Sequence, residues 1–186
     1  MNQKYNPQVD ALSYGSKKYI TPARWSSYAY VIEKILELNP STILEIGPGN
    51  KIVTRILSNL YFDVQTMDMD PDIQPDIICD ITSSKLGSLD RKFDLVLATE
   101  VLEHVKYNDA LTALDNLHHI TDKLLITLPH TNQGAIFFHF EGKLPLFKRR
   151  TLSKKISFKK KLHIFNGQHY WEIGKKGYSL TQVKKD

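Results

Sequence analysis

Short apolar runs alternate with amphipathic segments along the first 130 residues, and this alternation limits the possible fold more than any other feature of the sequence. The runs are rich in β-branched residues and shorter than a typical helix, which favours strands. We predict five strands, at residues 42–46, 62–67, 76–79, 93–98 and 123–128.

The segments between these runs carry apolar residues at i, i+3 and i+4, the spacing of a helix with one buried face. This spacing predicts helices over residues 22–38, from Ile52 to Leu60, and over 108–118. It places Trp25 on the apolar stripe of the first helix and therefore in the core. Strands that are apolar on both faces and alternate with such helices indicate an α/β fold with a mainly parallel sheet.

A glycine turn follows the first predicted strand, where Gly47 and Gly49 would let the backbone approach a ligand closely. A dinucleotide fingerprint would need a third glycine at the position of Ile52, so the turn does not indicate a nicotinamide cofactor. Asp68 and Asp80 close the second and third strands. In an open parallel sheet these carboxyl ends form the ligand site.

Glu45 lies inside an otherwise apolar strand. Burying a lone carboxylate costs several kcal/mol unless it is paired, so we expect a cationic or hydrogen-bonding partner. Backbone N–H groups of the glycine loop are one candidate partner, and the positive group of a ligand is another.

Four motifs occur in order along the chain: ILEIGPGN (43–50), TMDMDP (66–71), PDIICDI (75–81) and FDLVLATEVLEHV (93–105). As an ordered set they resemble the successive motifs of class I S-adenosylmethionine-dependent methyltransferases, in the branch called methyltransferase type 11. The resemblance covers about residues 42 to 129 and implies a Rossmann-like three-layer sandwich with S-adenosylmethionine as cofactor.

The resemblance also implies a role for individual residues. The methionine part of the cofactor would be lined by Glu45, Gly47 and Gly49, and the ribose would be bound by Asp68. Adenine would be contacted by Met69, Asp80 and Ile81. The floor of the pocket would be formed by Thr99 and Glu100. Asn50 stands where the family commonly has a third small residue. The family usually closes its sheet with an antiparallel hairpin, but little after Leu128 predicts a long strand pair, so we expect that hairpin to be missing or reduced.

Glu100, Glu103 and His104 form an ExxEH pattern. If Glu100 begins a helix, all three side chains lie on one face, where they could bind a divalent cation. The pattern resembles that of some metal-dependent O-methyltransferases but also occurs in many relatives without metal. We favour hydrogen bonding at a helix terminus and expect no metal. His104 and Glu103 are the candidate catalytic residues: His104 would be a base, and Glu103 would favour its protonated form.

Charge is distributed unevenly, since residues 143–186 carry 13 Lys/Arg against 2 Asp/Glu and residues 1–142 carry 12 against 18. Basic residues interleaved with aromatic ones can bind phosphates and stack on bases, close over a small acceptor, or form a solvated face. We expect a small-molecule or glycan or lipid-precursor acceptor. RNA methylation by the basic tail and a non-catalytic cofactor-binding module are the alternatives.

The length of 186 residues fits one domain. We divide it into an N-terminal helical lid region (1–40, with Tyr14, Tyr19, Arg24 and, as the alternative to a core position, Trp25), a cofactor-binding core (41–130) and a basic, aromatic acceptor-side region (131–186). No stretch is apolar enough to span a membrane, and the N-terminus lacks a secretory signal, so we expect a cytoplasmic protein.

Overall fold

The computed structural model describes residues 5–130, 135–142, 150–157 and 162–185, and the strands 135–142 and 150–157 are described by their backbone alone. The chain divides into two compact units. The first comprises Met1–Leu128 and Phe165–Tyr170, and the second comprises Pro129–Ile164 and Trp171–Asp186.

A five-stranded sheet of parallel strands forms the centre of the first unit. Its strands are β1 (Thr42–Ile46), β2 (Asp63–Asp68), β3 (Ile77–Ile78), β4 (Leu95–Thr99) and β5 (Leu124–Thr127), in the order β3-β2-β1-β4-β5. The predicted α/β class and parallel sheet are confirmed.

β3 is shorter than the predicted strand 76–79 because Asp76 makes a different contact. Its carboxylate accepts hydrogen bonds from the backbone N–H of Thr66, at 2.8 Å, and from the Thr66 hydroxyl, at 2.7 Å. These bonds connect the residue that precedes β3 to the middle of β2, and only Ile77–Ile78 pair with β2 as a strand.

All three predicted helices are present within about one residue of their predicted ends. The α-helices among the described residues are α1 (Ala11–Tyr14), α2 (Pro22–Leu38), α3 (Ile52–Asn59), α4 (Tyr107–His118) and α5 (Leu180–Val183). α2 begins where the Thr21 hydroxyl caps the N–H of Arg24, with Pro22 at the first helical position, and ends at Asn39 in the left-handed conformation.

The core on one face of the sheet joins α2 and α3 to the central strands. It consists of fully or almost fully buried side chains from α2 (Val31, Ile35), α3 (Val53, Leu57), β1 (Ile43) and β4 (Leu95, Leu97). The prediction that Trp25 belongs to this core is wrong, because Trp25 is 53% exposed. Tyr28, Val31 and Ile35 are the packed part of the apolar stripe of α2, and Trp25 lies on that stripe one turn before the core begins.

The second unit contains a hairpin of two eight-residue antiparallel strands, β6 (Ala135–Gly142) and β7 (Arg150–Ser157). The prediction that little after Leu128 forms a long strand pair is therefore wrong. Aromatic and β-branched residues favour β6, whereas β7 has only Thr151 and Ile156 of these types among mainly basic and polar residues, so its strand pattern is weak in the sequence. The two strands form a sheet of their own, and within the described residues no hairpin closes the five-stranded sheet, as predicted.

Near the end of the second unit, Ile173 donates its N–H to the carbonyl of Pro129 at 3.1 Å. Glu172 is buried, with its carboxylate 3.7 Å from the ammonium of Lys175. In the described part of the chain, every helix is too short or too polar to cross a membrane. A cytoplasmic location stays a prediction.

We predict that Leu57→Ala lowers the free energy of unfolding by about 2–5 kcal/mol, the usual cost of a cavity at a buried leucine. Leu57 is fully buried, whereas Leu60, at the end of the same helix, is 46% exposed and serves as the matched control. Leu60→Ala should cost less than about 1 kcal/mol. Urea denaturation of both variants tests this packing, and equal losses would contradict it.

Candidate functional site

The carboxyl ends of β1, β2 and β4 meet at one edge of the sheet. From β1 the chain continues to β2 and β3 on one side of β1, and it then returns to form β4 and β5 on the other side. The switch point of the strand order therefore lies between β1 and β4. In open parallel sheets ligands bind outside such a switch point. The residues predicted to form the site lie at this edge.

The loop after β1 passes close to neighbouring parts of the chain at both of its glycines. Gly47 has a φ of 66° and donates its N–H to Met67 O at 2.9 Å. A Cβ at Gly47 would lie 2.6 Å from Val101 Cγ2, which no side chain could tolerate without movement. At Gly49, with a φ of 48°, a Cβ would lie 3.0 Å from the ring of Tyr14. Both positions therefore require glycine.

Asn50 supplies a donor to this loop. Its Oδ1 accepts a hydrogen bond from Ile52 N at 3.1 Å, which supports the start of α3. Its Nδ2 is buried and has no hydrogen-bond partner among the residues that the structure describes. A buried amide donor of this kind costs about 1–3 kcal/mol unless a ligand accepts from it. Sequence analysis identified Asn50 only as a departure from the family pattern.

Glu45 is 2% exposed in the middle of β1. The Thr54 hydroxyl on α3 donates to Glu45 Oε2 at 2.5 Å, so the partner is a side chain of the following helix rather than a loop N–H. Burial raises the pKa of Glu45 to about 7, although the Thr54 hydrogen bond and the charge of Lys51 lower it. A cation placed beside this carboxylate would favour its ionised form.

Two carboxylates follow the neighbouring strands. Asp68 ends β2, and its Oδ1 accepts from Asp70 N at 2.9 Å, while burial raises its pKa. Asp80 lies two residues after β3, and its Oδ1 accepts from both the N–H and the hydroxyl of Thr82 at 2.8 Å. In each case an oxygen of the carboxylate is fixed by the local turn, which orients the side chain.

Two adjoining cavities lie against these residues, and they share Gly47, Glu100 and His104 among their lining. The smaller, of about 120 Å³, is also lined by Asp68, Met69, Asp80 and Ile81. The larger, of about 750 Å³, is also lined by Glu45, Gly49, Asn50 and Thr99. All nine residues predicted to bind the cofactor thus line one cavity or the other, and of the two catalytic candidates His104 does so but Glu103 does not.

Glu100 does not begin a helix, so the condition for a shared helix face of the ExxEH pattern is not met. Glu100 has a φ of 55°, it donates its N–H to Thr127 O at 3.0 Å, and its Oε1 accepts from the Thr127 hydroxyl at 3.2 Å. These contacts hold Glu100 in a left-handed conformation, which changes the direction of the chain after β4. A single 3-10 turn, Leu102–His104, follows, and α4 begins only at Tyr107.

Gln8, which sequence analysis did not identify, orients His104. Gln8 Nε2 donates to the backbone O of His104 at 2.9 Å, and Gln8 Oε1 lies 2.8 Å from His104 Nδ1. With its carboxamide oxygen turned to the ring, Gln8 favours the tautomer that carries its proton on Nδ1.

The pKa of His104 is lowered, whereas a carboxylate of Glu103 that favoured the protonated ring would have raised it. Burial and the neighbouring His169 lower the pKa of His104 to about 4, against smaller opposing contributions from the backbone of Gln168 and Glu100. His104 is therefore neutral near pH 7, and the prediction that Glu103 favours its protonated form is wrong.

Glu103, His104 and His169 meet within the first unit. One donor atom from each residue lies within 4.8 Å of the other two, and the rings of His104 and His169 are edge to face with centroids 5.1 Å apart. Sequence analysis did not place His169 beside His104. Its distance along the chain gave no signal of this contact.

The N-terminal segment borders the larger cavity through Tyr14, Tyr19 and Arg24. Arg24 donates to the Tyr19 hydroxyl at 2.9 Å, and its guanidinium lies 4.0 Å from the centroid of that ring. Tyr5 fixes the start of the segment, since its hydroxyl bonds to the Asp109 carboxylate and accepts from Lys106 N at 3.1 Å.

Comparison with known families identifies the class of this chain. A family model described as a methyltransferase domain matches residues 23–155, so the chain belongs to the methyltransferase domain family. The class predicted from the four ordered motifs is confirmed. A comparison with curated proteins gives no match.

The fold is similar to that of several solved methyltransferase structures and related proteins. DesVI from Streptomyces venezuelae is 15% identical, with a TM-score of 0.50 over 80% of this chain and 83% of DesVI. TehB from Haemophilus influenzae is 16% identical, with a TM-score of 0.48 over 79% of this chain and 65% of TehB. The N-methyltransferase NodS from Bradyrhizobium japonicum, in complex with S-adenosyl-L-homocysteine, is 20% identical, with a TM-score of 0.46 over 64% of this chain and 62% of NodS. This chain spans less than two thirds of TehB and NodS.

We predict that Gly47→Ala destabilises the fold by about 2–4 kcal/mol, because the new methyl group meets Val101 and the left-handed backbone is strained. Gly177→Ala is the matched control, since Gly177 also has a positive φ, of 92°, but no atom near its added methyl group. It should cost only about 1 kcal/mol. Urea denaturation measures both, and a Gly47 variant no less stable than the control would contradict the close approach.

Proposed function

We propose that this protein binds S-adenosylmethionine in the two adjoining cavities and transfers the methyl group to a small-molecule or glycan or lipid-precursor acceptor. One observation carries the proposal: residues from all four ordered motifs converge on these cavities at the carboxyl edge of the sheet. The larger cavity, of about 750 Å³, has the size of a small-molecule site.

The residues around the glycine loop suit the amino-acid end of such a cofactor. Asn50 Nδ2 is a buried donor that an α-carboxylate could accept from, and Gly47 leaves room for close approach of a ligand. Glu45 offers a buried carboxyl group with a pKa raised by burial, and a positive group beside it would favour its ionised form. An α-ammonium or a sulfonium would be such a group.

The residues of the smaller cavity suit a nucleoside. Asp68 ends β2 with one oxygen held by Asp70 N, and a carboxylate oriented in this way can accept from a ribose diol. Met69 and Ile81 provide apolar surface for a base, and Asp80 provides an acceptor for an amine. The residues present therefore fit the cofactor at both ends.

When bound, the cofactor supplies an electrophilic methyl group. The contribution of the chain is to hold that group and the acceptor in line, and positioning of this kind can supply about 7–11 kcal/mol of the barrier reduction. We assign His104 and Glu103 to the acceptor side. A neutral His104, with its proton held on Nδ1, offers Nε2 as an acceptor of a proton or of another electrophile.

The larger cavity extends beyond the glycine loop to Tyr19, Arg24 and Ser27. Hydroxyl groups and a guanidinium favour a polar acceptor that carries hydroxyl or acidic groups. The basic stretches 143–149 and 158–161, on which the RNA alternative depends, lie outside the described residues. The size and polar lining of the larger cavity are the reasons that we favour a small acceptor over RNA.

We predict that Asp68→Ala weakens S-adenosylhomocysteine binding by about 1.5–3 kcal/mol, the range for hydrogen bonds to a charged group. The matched control is Asp72→Ala, which removes an exposed carboxylate outside both cavities and should leave the affinity unchanged. Equilibrium dialysis measures both. Unchanged affinity in a folded Asp68 variant would overturn the ribose assignment.

We predict that cofactor binding releases a proton from Glu45. Because its pKa is about 7 in the free protein, Glu45 is largely protonated at about pH 6, and a bound ammonium or sulfonium lowers that pKa. Affinity should therefore rise from about pH 5.5 to about pH 7.5. His104, with a pKa of about 4, stays neutral over this range and does not contribute to the release.

Calorimetry in buffers of different ionisation enthalpy counts the released protons. Glu45→Gln, which keeps the shape and cannot titrate, should bind more weakly and release fewer protons. If wild-type protein and the Gln variant release the same number, Glu45 is not the group that ionises.

We predict that the chain does not bind RNA tightly. If the tail formed six or more phosphate contacts, RNA affinity would fall at least ~10³-fold between about 50 and about 200 mM salt through counterion release. Filter binding of a short single-stranded RNA over this range is the measurement. Submicromolar binding with that salt dependence would favour the RNA alternative over a small acceptor.

A further inference from the structure

Glu103, His104 and His169 combine one carboxylate with two imidazoles, and we call them the 2-His-carboxylate cluster. One donor atom from each lies within 4.8 Å of the other two. Glu103 and His104 come from the 3-10 turn after β4, and His169 comes from the segment Phe165–Tyr170 of the same compact unit.

Backbone contacts hold the two segments together. Tyr170 donates its N–H to the carbonyl of Glu103 at 2.8 Å. Asn166 Oδ1 accepts from the N–H of Gln168, at 3.0 Å, and from that of His169, at 2.8 Å, which fixes the turn that carries His169. The three side chains are thus brought together by main-chain bonds rather than by long flexible side chains.

The surroundings of His104 match those of a metal-binding histidine. A metal-binding imidazole usually donates its second ring N–H to a neighbouring acceptor, which fixes the tautomer and the ring orientation. Gln8 Oε1 lies 2.8 Å from Nδ1, and Gln8 Nε2 bonds to the backbone O of the same residue. In the tautomer that carries its proton on Nδ1, the lone pair is on Nε2.

We propose that the 2-His-carboxylate cluster binds a divalent transition-metal cation such as Zn²⁺ or Co²⁺. Two imidazoles and one carboxylate form a donor set that such cations prefer over Mg²⁺ or Ca²⁺, which take oxygen ligands. Glu103 is fully buried, and a cation bound to its carboxylate would offset the cost of burying that charge.

The distances require a modest closure of the cluster. With metal bonds of about 2.1 Å and tetrahedral angles, two donors on one ion lie about 3.4 Å apart. The donor atoms here are no more than 4.8 Å apart, so the widest pair closes by no more than about 1.4 Å. Glu100 is not part of the cluster, so the ligand set differs from the three residues of the ExxEH pattern.

His104 and His169 also line the larger cavity, together with Gly47 and Gly49. A cation held by three protein donors keeps at least one open position, which a ligand in the cavity can fill. That position suits an acceptor hydroxyl or another oxygen donor. This last step rests on the proposed function, whereas metal binding itself does not.

Titration of Co²⁺ alone into tag-free, EDTA-dialysed protein tests the proposal, with visible d–d absorption as the readout. We expect one equivalent to bind, Zn²⁺ to displace it and excess Mg²⁺ to leave it bound. His169→Ala and His104→Ala should each lower Co²⁺ affinity at least ~10-fold, since even the loss of a partner behind a ligand costs that much. His118→Ala, which removes an exposed histidine of α4, should leave it unchanged.

Absence of Co²⁺ binding, or equal binding by the His118 and His169 variants, would overturn the metal site. If His104→Ala does not fold, His169→Ala alone carries the comparison. S-Adenosylhomocysteine binding by the same samples separates the two proposals. Cofactor binding without Co²⁺ binding rejects only the metal, and Co²⁺ binding without cofactor binding rejects only the proposed function.

Discussion

The close approach of the loop after β1 to Val101 is the constraint on which the site depends. With 2.6 Å between Val101 Cγ2 and the position of a Cβ on Gly47, the loop lies directly against the segment that follows β4. This contact places the end of β1 and the turn Leu102–His104 around one space. A loop pushed outward by a side chain would separate the two cavity walls.

At the same edge of the sheet lie buried polar groups whose charge or hydrogen-bonding capacity the fold alone does not fully satisfy. Glu45 is buried within an apolar strand, and the Thr54 hydroxyl alone offsets only part of the cost. Asn50 Nδ2 is buried without a partner in the described part of the chain. Both lie beside the larger cavity, so one ligand with a positive and a negative group could satisfy both. An amino-acid group has this combination of charges.

Sequence periodicity predicted the parallel sheet and three helices because each element repeats its own spacing and buries its own face. It failed where tertiary contacts decide the structure. Glu100 adopts a left-handed conformation because Thr127, on a different strand, holds it there. Trp25 continues the helical stripe of α2, but the core ends before reaching it.

The candidate site divides in the same way. Asp68 and Gly47 were predictable because strand ends and glycine turns are local features. Gln8 and His169 were not, since each reaches His104 through a long-range contact that no local pattern encodes. The low pKa of His104 likewise depends on burial and on His169, which are properties of the assembled fold.

The central claim is that the edge of the sheet around Gly47 is a site for an S-adenosyl cofactor. Calorimetric titration of the wild-type chain with S-adenosylhomocysteine, NAD and ATP tests it most directly. The account predicts one equivalent of S-adenosylhomocysteine bound, and no binding of NAD or ATP because Ile52 replaces the third glycine of a dinucleotide turn. A folded protein that fails to bind S-adenosylhomocysteine, or that binds NAD or ATP as tightly, would contradict it.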